Sequence, residues 1–197
     1  GSVLAREKGP RTNLPPFIQV GTHVDRVNGG GTAGYLGIRY NPFELPGDPN
    51  KKDFTVRDVT LPGGVSLARV SRRRQALVAI DRLQRGVEKQ PAALSAIDGY
   101  YQNAFSMITS PATQKAFDLD KEPAYIREAY GEHKFGQSCL LARRLVEAGV
   151  SFVEVVHRGW DDHEGAAKPI AKRAPWIDAG MATLIRDLKS RGMLDDT

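Results

Sequence analysis

The residues whose types and spacing point to chemistry lie in one short stretch, His157-Arg158-Gly159-Trp160-Asp161-Asp162-His163. Carboxylate oxygen and imidazole nitrogen together suit a borderline divalent cation. Asp161 and His163 are two residues apart, and in extended backbone such residues point the same way, so both can reach one metal ion. Asp162 then points aside, to support the site or contact a substrate. Trp160 can wall the site, and Gly159 and Gly165 permit unusual backbone angles on either side. His157, at the strand end, reads first as a surface or hydrogen-bonded histidine and second as a neighbour of the site, and Arg158 suits an anionic substrate or equally a plain surface position. Aspartates just before a helix also cap its N-terminus, so the residues alone fit a capping loop as well as a metal site.

Other reactive types carry less. The single Cys139 excludes an internal disulfide, and its place in the amphipathic run GQSCLLARRLVEAGV reads as a buried structural thiol. The stretch NGGGTAG, 28–34, lacks the lysine and hydroxyl residue of a phosphate loop and reads as a loop. His23 and His133 have no companions at ligand spacing. Arg72 to Arg74 spread around a helix start and read as a solvated helix end, with an anion contact as the other reading.

The elements that position Asp161 and His163 are legible. FVEVV, 152–156, reads as a strand whose apolar run predicts cover on both faces, as in a parallel sheet. The helix before it, Gln137 to Ala148, stops at Gly149. A second amphipathic helix follows, Ala171 to Arg191, with Ala174, Ile177, Met181, Leu184, Ile185 and Leu188 as its buried stripe. In open α/β sheets ligands bind beyond the carboxyl ends of the strands, which is where the aspartates fall.

Upstream, Ser2 can cap a short helix ending at Gly9-Pro10, and Phe17 to Val20 reads as a strand ended by Gly21. Residues 26–53, rich in Gly, Pro and Asn, read as a functional loop or a structured excursion, and DFTVRDVTLP, 53–62, as an extended segment. Ser71 to Glu88 and Pro91 to Ile108 read as helices. Ser110 and Pro111 form a strong helix start, and EPAYIREAYG is a short helix closed by Gly131. The chain thus divides into strands and a Gly/Pro-rich loop over 1–64, a helical segment over 70–131, and helix, strand, site and helix over 137–197.

Composition bounds the class. The chain has 197 residues, 41% hydrophobic and 26% charged, the make-up of one globular domain with a core of its own. The net charge of +5 comes without a zinc-finger, RNA-recognition or helix-turn-helix signature, so nucleic acid is not expected as a partner. No apolar run is long enough to span a membrane.

The blocks AGYLGIRYNPF, FTVRDVTLP, RRRQALVAIDRL, FGQSCLLARRLVEAGVSFVEV, GWDDH and LIRDLKSRGMLDDT resemble those of the bacterial family called domain of unknown function 1501, in the family's order through almost the whole chain. That family is similar in fold to the alkaline phosphatase and sulfatase superfamily. The resemblance implies an α/β, alkaline-phosphatase-like three-layer α/β/α sandwich, incomplete here: a central fragment with a helical insertion. It puts Asp161 and His163 in the metal-ligand places of the Asp-His motif, with a Zn, Mn, Mg or Ca ion as cofactor. His157, Arg158, Trp160 and Asp162 are left to support the site or contact substrate. It implies a metal-dependent hydrolase of phosphate or sulfate esters acting on a small anionic ester, with the nucleophile outside this chain and the fragment alone inactive. It also implies export to the periplasm. A non-catalytic binding or scaffolding protein that keeps the fold is the alternative.

Overall fold

The computed structural model describes residues 1–24, 30–56, 65–66, 68–73, 75–76 and 105–197. Most of the helix expected from Ser71 to Glu88, the greater part of that from Pro91 to Ile108, and the extended segment from residue 57 onward lie outside the described residues. Within them, 68–73 and 75–76 are helical, with Arg72 and Arg73 exposed, and 105–109 are helical.

The described strands form a parallel sheet in the order β2-β1-β3, where β1 is Phe17–Gly21, β2 is Phe43–Pro46 and β3 is Phe152–Val156. In register, Ile18 lies level with Phe43 and Val153, and Val20 with Leu45 and Val155. Because side chains alternate across a strand, these six apolar residues share one face. They join the core beneath α4, Lys134–Glu147. The same alternation puts Glu44, Gln19 and Glu154 in a row on the other face, where Gln19 Nε2 donates to Glu154 Oε2 at 2.9 Å.

That row corrects the expectation that β3 is covered on both faces. β1, paired on both sides, is buried throughout, whereas β3 is half-buried and its Phe152 is 39% exposed. Among the described strands β3 is an edge, and Glu154 marks its polar side. β2 was not expected: FELP sits within a Gly/Pro-rich stretch, and it becomes a strand through its pairing with β1.

Local signals set the helices. The first, α1 (Ser2–Lys8), has Gly1 as its N-cap, so Ser2 lies inside the helix instead of capping it. The second, α2 (Pro111–Phe117), is capped as expected: Ser110 Oγ accepts the Thr113 N–H at 3.3 Å. The third, α3 (Ala124–Tyr130), ends at Gly131. At the end of α4, Gly149 adopts φ 95°, Val150 N–H reaches the Leu145 carbonyl at 3.0 Å and Gly149 N–H that of Val146 at 2.9 Å. This paired closure needs left-handed backbone, which glycine takes without strain, and it turns the chain directly into β3.

The last long helix, α5 (Ala167–Ser190), starts earlier than expected and runs through Pro175. It packs along α4 and α3. Its contact face holds Ile177, Gly180, Thr183, Leu184, Asp187 and Leu188. Ala174, Met181 and Ile185, expected in the buried stripe, are exposed, Met181 at 44% and Ile185 at 49%. Polar residues take the inner positions instead because each meets a partner. Thr183 Oγ1 donates to the Ala129 carbonyl at 2.7 Å, and Asp187 accepts from Tyr130 at 3.0 Å.

An ionic cluster, buried at Arg143, Arg144, Glu122 and Asp187 and open to solvent at Glu147 and Arg191, ties these elements. Arg143 of α4, 1% exposed, pairs with Glu122 at 2.8 Å, Glu147 at 2.7 Å and Asp187 at 3.0 Å. Arg144 also pairs with Glu122, and its Nε donates to the Ala116 carbonyl at 3.1 Å. Arg191 closes the group on Asp187 and Glu147 at 2.7 and 3.0 Å. Three cations face three carboxylates, the balance that buried charge requires. Cys139 is buried on the same helix, and burial pushes its thiol pKa up to about 12, consistent with a structural thiol.

Candidate functional site

The loop from His157 to Ala166 joins the carboxyl end of β3 to α5. Gly159 takes φ 91° within it, a left-handed angle that lets the chain leave the strand sharply. Neither aspartate caps α5, whose N-cap is Ala166 with no side-chain cap bond, so the capping explanation for these aspartates does not describe this loop.

The two sides of the loop differ. Asp162 turns inward and takes a two-pronged contact from Arg173, nearly two turns into α5, at 2.5 and 3.3 Å. The Arg173 guanidinium also lies over the Trp160 ring, 5.7 Å from its centre. Asp161 and His163 turn outward together, with His163 Nδ1 3.4 Å from Asp161 Oδ1 and side-chain exposures of 93% for Asp161 and 78% for His163. Arg158 is exposed. The Trp160 indole N–H donates to His157 Nδ1 at 2.9 Å, which folds the loop back on the strand end.

His157 belongs to a wider aromatic group. Its ring meets Phe135 edge-on at 5.4 Å and Trp176 at 6.5 Å, and Trp176 in turn lies 5.9 Å from His133. His133, which has no ligand-spaced companion in the sequence, is the N-cap of α4: its Nδ1 accepts the Gly136 N–H at 3.1 Å. Next to it, Lys134 Nζ donates to Thr22 Oγ1 at 3.3 Å, just past β1. Burial, then the charges of Arg173 and Lys134, lower the His157 pKa. Burial, then His157, lower that of His133 against an opposing pull from Asp48. Sequence spacing missed His133, Lys134 and Trp176 because they meet His157 from two other segments; the one available signal was that His133 immediately precedes a helix.

Asp161 and His163 are two donors of the right chemistry for one divalent ion. Among the described residues no group of three or more His, Cys, Asp and Glu side chains is arranged to hold one. A cavity of about 440 Å³ opens beyond β2, lined by Pro46, Asp48, Lys51, Asp53 and Phe54 among others, but by neither Asp161 nor His163. No described helix is long and apolar enough to cross a membrane.

No curated protein and no solved structure matches this sequence. The family described as "Protein of unknown function (DUF1501)" matches residues 1–197, the whole length, and the chain belongs to that family.

Proposed function

We propose that the chain carries part of the metal-bearing face of a hydrolase of phosphate or sulfate esters, on an alkaline-phosphatase-like α/β/α sandwich. The observation behind this reading is the 3.4 Å approach of Asp161 Oδ1 and His163 Nδ1 beyond the carboxyl end of a parallel strand. Two ligands bonded at about 2.1 Å to one tetrahedral ion lie about 3.4 Å apart. The mixed oxygen and nitrogen donors favour Zn²⁺ or Mn²⁺, since Mg²⁺ and Ca²⁺ prefer oxygen alone. When bound, the ion would stabilise negative charge developing on the ester oxygens.

The chain's own residues prepare that position. The Asp162–Arg173 contact anchors the loop to α5, and Trp160 anchors it to His157, so Asp161 and His163 project as a pair. Arg158, exposed beside them, is free to meet an anionic substrate. On this reading the remaining metal ligands and the nucleophile lie outside the described residues.

The exposure of both side chains favours a second reading, a non-catalytic binding or scaffolding protein of the same fold. Metal content of the full-length protein, wild type against Asp161→Ala/His163→Ala, tests the first: equal content in both would sink it. Turnover of aryl phosphate and aryl sulfate esters by the metal-loaded protein then separates the two readings, since the binding protein turns over neither.

A further inference from the structure

The ends of β1 and β3 and the start of α4 gather side chains that the metal reading does not use. His157 follows β3, Thr22 follows β1, and His133 and Lys134 open α4. The Lys134 ammonium is held at the end of β1 by its bond to Thr22 Oγ1. Trp176 of α5 lies against both imidazoles.

The charge around them is one-sided. His157 faces Lys134 and Arg173; His133 faces His157 and Asp48. Arg173 is matched by Asp162, whereas Lys134 has a neutral hydroxyl as its hydrogen-bond partner among the described residues. Burial lowers the pKa of both rings and so favours the neutral imidazole, helped at His157 by the charges of Arg173 and Lys134 and opposed at His133 by Asp48. Each uses Nδ1 as an acceptor, His133 from Gly136 and His157 from Trp160. The hydrogen of each neutral ring therefore sits on Nε2. That state disfavours metal coordination through Nε2 and makes it a donor. With Lys134, the group offers N–H donors and a positive charge, opposed at His133 by the carboxylate of Asp48, a balance that suits an oxyanion.

We propose that His133, Lys134 and His157, walled by Trp176, form a binding site for a tetrahedral oxyanion of the sulfate or phosphate class. This deepens the hydrolase reading by naming where the ester's anionic group rests, yet it requires no metal at Asp161 and His163. An anion against both rings favours their charged forms, so binding takes up protons and tightens as pH falls through the imidazole range.

Sulfate, whose charge is constant over that range, is the probe. It is titrated into the full-length protein in EDTA, with histidine NMR signals as the readout. The expected result is that the His133 and His157 signals move together and both titrate at higher pH with sulfate bound. Affinity rises at least about threefold from pH 7.5 to 5.5. Lys134→Gln and His157→Gln, checked for native circular dichroism, each weaken binding about tenfold. Sulfate that moves neither signal, or that binds both variants as it binds wild type, overturns the proposal. So does binding lost only in Asp161→Ala/His163→Ala, which would put the anion on the loop. Binding that survives EDTA and that double substitution upholds the site even where metal analysis rejects the hydrolase reading.

Discussion

The Tyr130 hydroxyl donates to Asp187 at 3.0 Å, and that bond joins the end of α3 to α5 where both side chains are buried. Burial and the Asp187 charge push the Tyr130 pKa well up, which keeps the phenol protonated and a donor at neutral pH. Tyr130→Phe keeps the ring and removes the donor to a charged acceptor. The expected loss is about 2 kcal/mol in urea unfolding. A loss under about 0.5 kcal/mol would mean that Arg143 and Arg191 alone satisfy Asp187.

Arg143 should matter more. It meets Glu122, Glu147 and Asp187, so Arg143→Met leaves Glu122 and Asp187 buried with fewer counter-charges. The expected cost is about 3–5 kcal/mol. The same cluster sets the acid response. Burial raises the Glu122 and Asp187 pKa values, but Arg143 with Arg144, and Arg191 with Tyr130 and Arg143, outweigh it and leave both lowered. Groups with depressed folded values stabilise fully above the unfolded range near pH 4 and lose that stability as pH falls through the folded values. In thermal unfolding the cluster's contribution should therefore be flat between about pH 7 and 5 and drop below about pH 4, less steeply in Arg143→Met. His133 and His157, whose folded values are lowered, add a separate loss as pH falls below the unfolded histidine range near about 6.5.

The difference between what the sequence reveals and what it hides follows from the range of the forces. Ser110, Gly131 and Gly149 act on the few residues beside them, and the helix boundaries they mark are legible. So is β3, whose residues are β-branched or aromatic but for Glu154. β2 depends on pairing with β1, more than twenty residues back in sequence, and FELP alone does not show it. The burial of the α4 arginines does not show locally, because Glu122 and Asp187, unlike Glu147, come from other segments. In the site, the alternation of Asp161, Asp162 and His163 is a local property and could be read. The partner of Asp162, eleven residues on, and the packing of His133 against Trp176 are tertiary.

Gly136 is required by space. A Cβ there would lie 2.0 Å from the Tyr130 carbonyl oxygen and 2.7 Å from that of Gly131. Both are backbone atoms at the turn between α3 and α4, so neither can swing aside. Gly136→Ala should cost about 3 kcal/mol. It should also disturb the His133 cap, seen as a loss of hydrogen-exchange protection in the first turn of α4. A Tm within a degree of wild type would show that the turn can open.

Cys139 reports on the same helix from inside. With its thiol buried and its pKa near 12, almost no thiolate exists at neutral pH. A disulfide reagent should leave it unmodified in the native protein and label it at the rate of unfolding in urea. Rapid labelling without denaturant would contradict the packing of α4.

The Asp162–Arg173 contact is the hinge between the candidate metal ligands and α5. Its side chains are 16% and 21% exposed, so water screens the pair only in part. A double-mutant cycle with Asp162→Ala and Arg173→Ala should give a coupling of about 1 kcal/mol, reduced by salt. The larger consequence is positional. With Asp162 removed, Arg173 loses the anchor that holds it over Trp160, and the loop keeps only the Trp160–His157 bond. In a Trp176→Phe background, where Trp160 is the sole tryptophan, Asp162→Ala should increase acrylamide quenching. It should also weaken any divalent-ion binding that depends on Asp161 and His163, without moving Tm by more than about 3 °C. Unchanged quenching would show that Trp160 and His157 hold the loop by themselves, and Asp162 would then have no part in presenting the pair.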